Sequence, residues 1–208
     1  MSEASNNGPG PKSPKRRKLL TLTGLTGLSG LAIASWPFLR SLLPSRKAQV
    51  LGAPIQLDVS ELEPGEQITA EWRGQPIWVL KRDDEMLRTL ASENLLDRLR
   101  DPDSEVRTQQ PGYAKNEMRS LKPEYFICIA ICTHLGCVPV YRPERGAPDI
   151  DKDWQGGYFC PCHKSKFDLA GRVFKGVPAP VNLVIPPHSY VDEETLVIGI
   201  DQEQTRMR

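Results

Sequence analysis

Four of the five cysteines and two of the three histidines fall in two short segments. The first is Cys132-Thr133-His134-Leu135-Gly136-Cys137 and the second is Cys160-Pro161-Cys162-His163-Lys164-Ser165. Two thiolates and two imidazoles suit tetrahedral zinc, or an iron–sulfur cluster with two histidines on one iron. Zinc is the chemically silent choice, because such four-ligand sites are common. It leaves Cys137 and Cys162 unexplained, since six candidates occupy the two loops. In an exported body two free thiols side by side would oxidise, so a disulfide between them is the natural assignment. It would tie the loops together and hold a cluster between them.

Loops of this kind need rigid elements to present them. Short apolar and β-branched runs predict strands at 55–59, 67–73, 76–81, 125–131, 157–160, 172–174, 181–185, 189–191 and 195–200. Each cysteine–histidine segment follows one of these runs, so strands could deliver both loops to one end of the body. Residues 125–131 form a continuous apolar run, as expected of a strand buried on both faces. The stretch 83–100 predicts one helix, with Asp83 at its start and Met86, Leu87, Leu90, Leu95, Leu96 and Leu99 at roughly helical spacing. Residues 101–123 are polar and read as loop. The expected body is mainly β, a sandwich or small barrel with one helix.

The chain of 208 residues sums to a formal charge of +1, which removes the usual electrostatic case for nucleic-acid binding. That sum hides an asymmetry. Residues 1–18 carry +4, residues 19–47 carry +3 and everything from Ala48 onward carries −6. Between Lys18 and Arg40 lie 21 residues without a formal charge, and as a helix they would span about 30 Å, the thickness of a bilayer core. This predicts a basic leader at 1–18, a single transmembrane helix at 19–43, a linker at 44–54 and a head at 55–203. The excess of bases before the span keeps the N-terminus cytoplasmic and sends the head across the membrane. Arg16-Arg17 before the apolar run is the arrangement of a twin-arginine export signal. Ala32-Ile33-Ala34 offers the competing reading of a cleaved signal peptide. The Pro/Gly/Asn-rich first dozen residues read as disordered.

The two loops, C-T-H-L-G-C and C-P-C-H-x-S, closely resemble those of the Rieske iron–sulfur proteins of bacterial cytochrome bc complexes. The leader, single span, linker and β head match that family's layout. Gly176-Val177-Pro178-Ala179-Pro180 resembles its proline loop, which covers the cluster from a third side. The resemblance implies a Rieske-type β-sandwich head with a cluster-binding subdomain and one [2Fe–2S] cluster. Cys132 and Cys160 would bind one iron, His134 and His163 the other, and Cys137 and Cys162 would form the disulfide. Ser165 would donate to a bridging sulfide. The implied reaction is oxidation of quinol, with His163 taking its proton, and delivery of the electron to cytochrome c1. His134 is the second ligand histidine implied to act at that surface. Cytochrome b and cytochrome c1 are the implied partners, in a dimeric complex of a bacterial inner membrane with the head on the periplasmic side.

Two positions depart from the family pattern. Phe167 stands where a tyrosine often donates to a ligand sulfur, so its presence should lower the potential. Lys164 stands where glycine commonly follows the histidine ligand. Its charge should favour reduction, but a positive φ there would strain it. Around the cluster, Gly136 completes the first loop and Leu135 reads as an exposed contact to a quinone pocket. Cys128 reads as an inert core thiol, and His188 as a surface or turn histidine. Two other functions compete: the small Rieske subunit of an arsenite-oxidase-like enzyme, and an exported zinc-stapled interaction domain.

Overall fold

The computed structural model describes residues 13–43, 45 and 52–201. The first dozen residues and most of the linker expected at 44–54 lie outside the described residues. The chain divides into two units, residues 1–49 and 50–208.

The first unit is one helix, α1, Pro14–Ser41. Its 28 residues give a length of about 42 Å, and it is long and apolar enough to cross a membrane. Proline at the first helical turn costs nothing, because that N–H has no partner in any helix. The hydroxyls of Thr21, Thr23, Thr26, Ser29 and Ser35 donate back to carbonyls four residues earlier. A hydroxyl satisfied by its own helix can enter hydrocarbon without stranding a donor.

The second unit is mainly β, in three antiparallel sheets of three strands. The strands are β1 (Ile55–Asp58), β2 (Gln67–Trp72), β3 (Gln75–Lys81), β4 (Tyr125–Ile129), β5 (Val140–Ala147), β6 (Asp151–Phe159), β7 (Lys166–Phe167), β8 (His188–Tyr190) and β9 (Thr195–Ile198). Their orders are β1-β9-β8, β2-β3-β4 and β5-β6-β7. The middle sheet explains the continuous apolar run. Ile77, Val79, Tyr125 and Ile127 pack with Leu196 and Ile198 of the first sheet. Their neighbours Trp78, Leu80, Phe126 and Cys128 point the other way, into a core with Tyr158, Phe167 and Phe174. Alternate side chains of a strand face opposite sides, so burial on both faces removes the polar half of the pattern.

Several elements differ from the sequence expectation. The single helix at 83–100 is two short ones, α2 (Asp84–Leu90) and α3 (Glu93–Leu96). Asp83 caps α2 by accepting from the Met86 N–H at 2.8 Å. Met86 and Leu90 lie about half a turn away from Leu95 and Leu99 on a straight helix. Breaking it at Ala91-Ser92 brings all four into one core. Strand β5 is not expected from the sequence, since Pro143, three charges and Gly146 lie within it. It is held by pairing with β6, with register shifts at Arg142/Arg145 and Arg145/Ala147. The expected strands at 172–174 and 181–185 are extended but form no ladder. Val173 and Phe174 make one bridge each, to Phe167 and Leu99. Leu183, Val184 and Ile185 bond separately to Gly171, Ile129 and Gln109.

His188 is fully buried rather than a surface or turn residue. Its backbone N–H donates to the Tyr113 hydroxyl at 2.7 Å, and that hydroxyl donates to the His188 carbonyl at 2.9 Å. Nδ1 faces the Pro186 carbonyl at 2.9 Å, while Nε2 is buried without a partner. The ring is flanked by Tyr113 and Tyr190, and the charge of Asp201 acts on it. Burial pulls its pKa down from 6.5 to about 4. The unfolded chain therefore binds the extra proton first, and stability falls as pH drops from about 6.5 to about 4. The full loss is about 3 kcal/mol. Thermal melting across that window should show the fall, and His188→Asn should flatten it.

Candidate metal centre

The two cysteine–histidine segments are built on one backbone plan. In the first, the Cys132 N–H donates to the Cys137 carbonyl at 2.7 Å and the Gly136 N–H donates to the Cys132 carbonyl at 3.0 Å. In the second, the Cys160 N–H donates to the Ser165 carbonyl at 2.8 Å and the Lys164 N–H donates to the Cys160 carbonyl at 2.9 Å. Each loop thus returns on itself within six residues and needs a left-handed residue at its fifth position. Gly136 has φ 85° there and Lys164 has φ 61°. The first loop joins β4 of the middle sheet to β5 and the second joins β6 to β7, so the β5-β6-β7 sheet holds one or both ends of each loop.

Cys137 and Cys162 are joined by a disulfide across a sequence separation of 25. The Cys160 sulfur lies within 4.8 Å of both. This sulfur trio is no metal site, because two of its members are consumed in the bond. The free thiols of Cys132 and Cys160 are both buried and lie within hydrogen-bonding reach of each other. The rings of His134 and His163 meet edge to face, their centroids 4.7 Å apart. The candidates thus come together as two pairs, the thiols and the imidazoles, on two loops that the disulfide joins. His134 Nδ1 is buried and has no hydrogen-bond partner. A buried bare imidazole nitrogen is a donor atom that a bound metal would satisfy.

Ser165 is fully buried, accepts the Ala179 N–H at 3.0 Å, and has its hydroxyl within reach of the Cys132 sulfur. The Thr133 hydroxyl donates to the Val181 carbonyl at 2.6 Å, tying the first loop to the segment after Pro180. Phe167 is fully buried in β7, opposite Tyr158. His163, Lys164, Gly136 and Pro178 are exposed, and Leu135 is 71% exposed. The end of the sheet thus presents an imidazole and apolar side chains to the outside. Cys128 is fully buried, and burial holds its thiol far above the ordinary range, so it stays an inert core group. Sequence reasoning missed Thr133 as a tie between loop and proline segment. Its hydroxyl beside His134 was visible, but its partner lies 48 residues away.

Lys164 pays the strain anticipated for it, since an L-residue in this conformation costs about 1 kcal/mol or slightly more. Lys164→Gly should therefore stabilise the head by about 1 kcal/mol, visible as a melting temperature a few degrees higher. A lower melting temperature would mean that the lysine makes compensating contacts.

A family model described as the Rieske [2Fe–2S] domain matches residues 105–187. The ubiquinol–cytochrome c reductase iron–sulfur subunit of Allochromatium vinosum is 55% identical over 166 residues, covering 80% of this chain and 79% of that protein. The subunit of the same name from Rhodospirillum rubrum is 36% identical over 201 residues, covering 96% of this chain and all of its own length (100%). That from Blastochloris viridis is 37% identical over 171 residues, covering 81% and 83%.

Proposed function

Because the chain belongs to the family of ubiquinol–cytochrome c reductase iron–sulfur subunits, we propose that it takes one electron and one proton from quinol and passes the electron to cytochrome c1. Its Rieske domain carries one [2Fe–2S] cluster. The observation that supports the site assignment is the pairing of the two buried thiols, Cys132 with Cys160, and of the two imidazoles, His134 with His163, together with a buried, partnerless His134 Nδ1. We assign the two cysteines to one iron and the two histidines to the other. When bound, such a cluster supplies one-electron acceptance at a potential that imidazole ligation raises.

The chain's own residues do the rest. His163 and Leu135 are both exposed. Its outer ring nitrogen accepts the quinol hydroxyl and then holds the proton, while Leu135 and Pro178 lend the apolar surface a quinone ring prefers. The Cys137–Cys162 disulfide locks the two loops against each other, so the imidazoles keep their spacing through each turnover. Ser165 offers its hydroxyl to the sulfur side of the site. We place α1 across a bacterial inner membrane, with the basic N-terminus cytoplasmic after export by the twin-arginine route and the head periplasmic. The head serves between cytochrome b and cytochrome c1 in a dimeric, proton-translocating complex.

Potentiometric EPR on the purified chain tests this. A signal from the reduced cluster, lost in His163→Ala, is expected. An EPR-silent protein containing zinc would sink the reading. The same titration checks Phe167, which offers no donor. Phe167→Tyr should raise the midpoint potential, and an unchanged or lower value would contradict the role assigned to this position.

A further inference from the structure

Arg100 precedes the matched domain, residues 105–187, and sequence reading gave it only the end of a helix. In the structure, Asp97–Arg100 runs as a splint beside Val173–Lys175. The Arg100 N–H donates to the Val173 carbonyl at 2.9 Å, and the Lys175 N–H donates to the Arg98 carbonyl at 2.8 Å. Lys175 Nζ donates to the Asp97 carbonyl at 2.8 Å, and Leu99 bridges Phe174. Two guanidinium groups leave this splint for the two parts of the cluster-binding region. Arg98 donates to the Asp151 carboxylate and the Asp153 carbonyl of β6, both at 2.6 Å. Arg100 reaches the proline segment, where Nη2 donates to the Val177 carbonyl at 3.0 Å and Nη1 to the Pro180 carbonyl at 3.4 Å.

These two carbonyls flank the one backbone donor that the segment turns toward the site. Pro178 and Pro180 have no N–H, and the Ala179 N–H donates to Ser165 Oγ at 3.0 Å. That N–H fills an acceptor position on the hydroxyl and leaves its proton for the ligand sulfur. A segment with two prolines cannot tie itself down by a ladder, so its carbonyls need donors from elsewhere. The planar fork of arginine meets two carbonyls at once, which a single ammonium does less well.

We propose that Arg100 is a positioning residue for the cluster site: by gripping Val177 and Pro180 it fixes the Ala179 N–H, and through it the Ser165 hydroxyl. The proposal rests on the reading of the two loops as cluster ligands. Hydrogen bonds to cluster sulfurs raise the potential, so loosening the grip lowers it. A cation acting only through space would instead be replaced by lysine and fade in salt.

The test uses the full-length, cluster-loaded chain in detergent, as Arg100→Ala and Arg100→Lys. Arg100→Ala should lower the midpoint potential, and Arg100→Lys should leave most of that drop in place at low and high salt. Amide exchange at Ala179 should speed up about three- to tenfold in Arg100→Ala. Full recovery of the potential in Arg100→Lys would overturn the proposal. So would a shifted potential with unchanged exchange at Ala179, or faster exchange with an unshifted potential. Chain isolated without any cluster would sink the functional reading instead, and exchange at Ala179 would still decide whether Arg100 grips the segment.

Discussion

Gly157→Ala should abolish the folded head. A Cβ at this position would lie 2.0 Å from the Phe167 carbonyl oxygen and 3.0 Å from the Asp168 Cα. Both obstacles are backbone, so no rotamer change relieves them. Gly157 also has φ 147°, a conformation that side chains rarely adopt. The only escape is to part β7 from β6, and Tyr158↔Phe167 and Phe159↔Lys166 are the whole of that pairing. The second cysteine–histidine loop is the connection between those strands, so a parted hairpin also separates Cys160 and His163 from Cys132 and His134. The expected cost exceeds about 4 kcal/mol, a loss large enough to unfold most domains of this size. Gly112→Ala is the control, because nothing lies within 4 Å of its added Cβ. Circular dichroism melting of both variants checks the pair. A Gly157→Ala head that melts like the parent would show that β6 and β7 can separate freely.

What sequence reading reached, and what it missed, follows from the range of each interaction. The two loops were legible because their candidate ligands, their disulfide cysteines and their left-handed fifth residue lie within six positions of each other. Strands β3 and β4 were legible because burial on both faces leaves an uninterrupted apolar run. Strand β5 was not, since after Val140 and Tyr141 it runs through proline, charges and glycine that disfavour a strand, and among the strands it pairs with β6 alone. The break between α2 and α3 was implicit in the half-turn offset between Met86/Leu90 and Leu95/Leu99, but apolar spacing alone concealed it. His188 misled because its partner, Tyr113, lies 75 residues away in a segment that reads as loop. Arg100 was hidden for the same reason, its two carbonyl partners lying 77 and 80 residues downstream.

Asp168→Asn should be among the most damaging single changes away from the metal centre. Three arginines, Arg82, Arg119 and Arg172, are buried in the head, and Asp168 is the one buried carboxylate among the described residues. Its Oδ2 accepts Arg172 Nε at 2.7 Å, and its Oδ1 accepts the backbone N–H groups of Ala170 and Arg172 at 2.9 and 2.7 Å. Arg172 Nη2 continues to the Leu90 carbonyl at the end of α2. Arg119 donates to the Ala170 and Leu183 carbonyls, each at 2.9 Å. Burial pulls the pKa of both Arg82 and Arg119 down to about 10, and the charge on Asp168 acts against that pull. Asparagine keeps the size of the side chain but removes the anion, leaving three buried cations without a buried counter-charge. The expected loss is about 3 to 5 kcal/mol. Removing the cation as well, in Asp168→Asn with Arg172→Met, should recover part of it, because an uncompensated charge costs more than an apolar replacement of the pair. Urea unfolding of the two variants reads the difference directly. A double variant less stable than Asp168→Asn alone would show that Arg172 serves through its bond to Leu90 and its packing rather than through its pairing with the carboxylate.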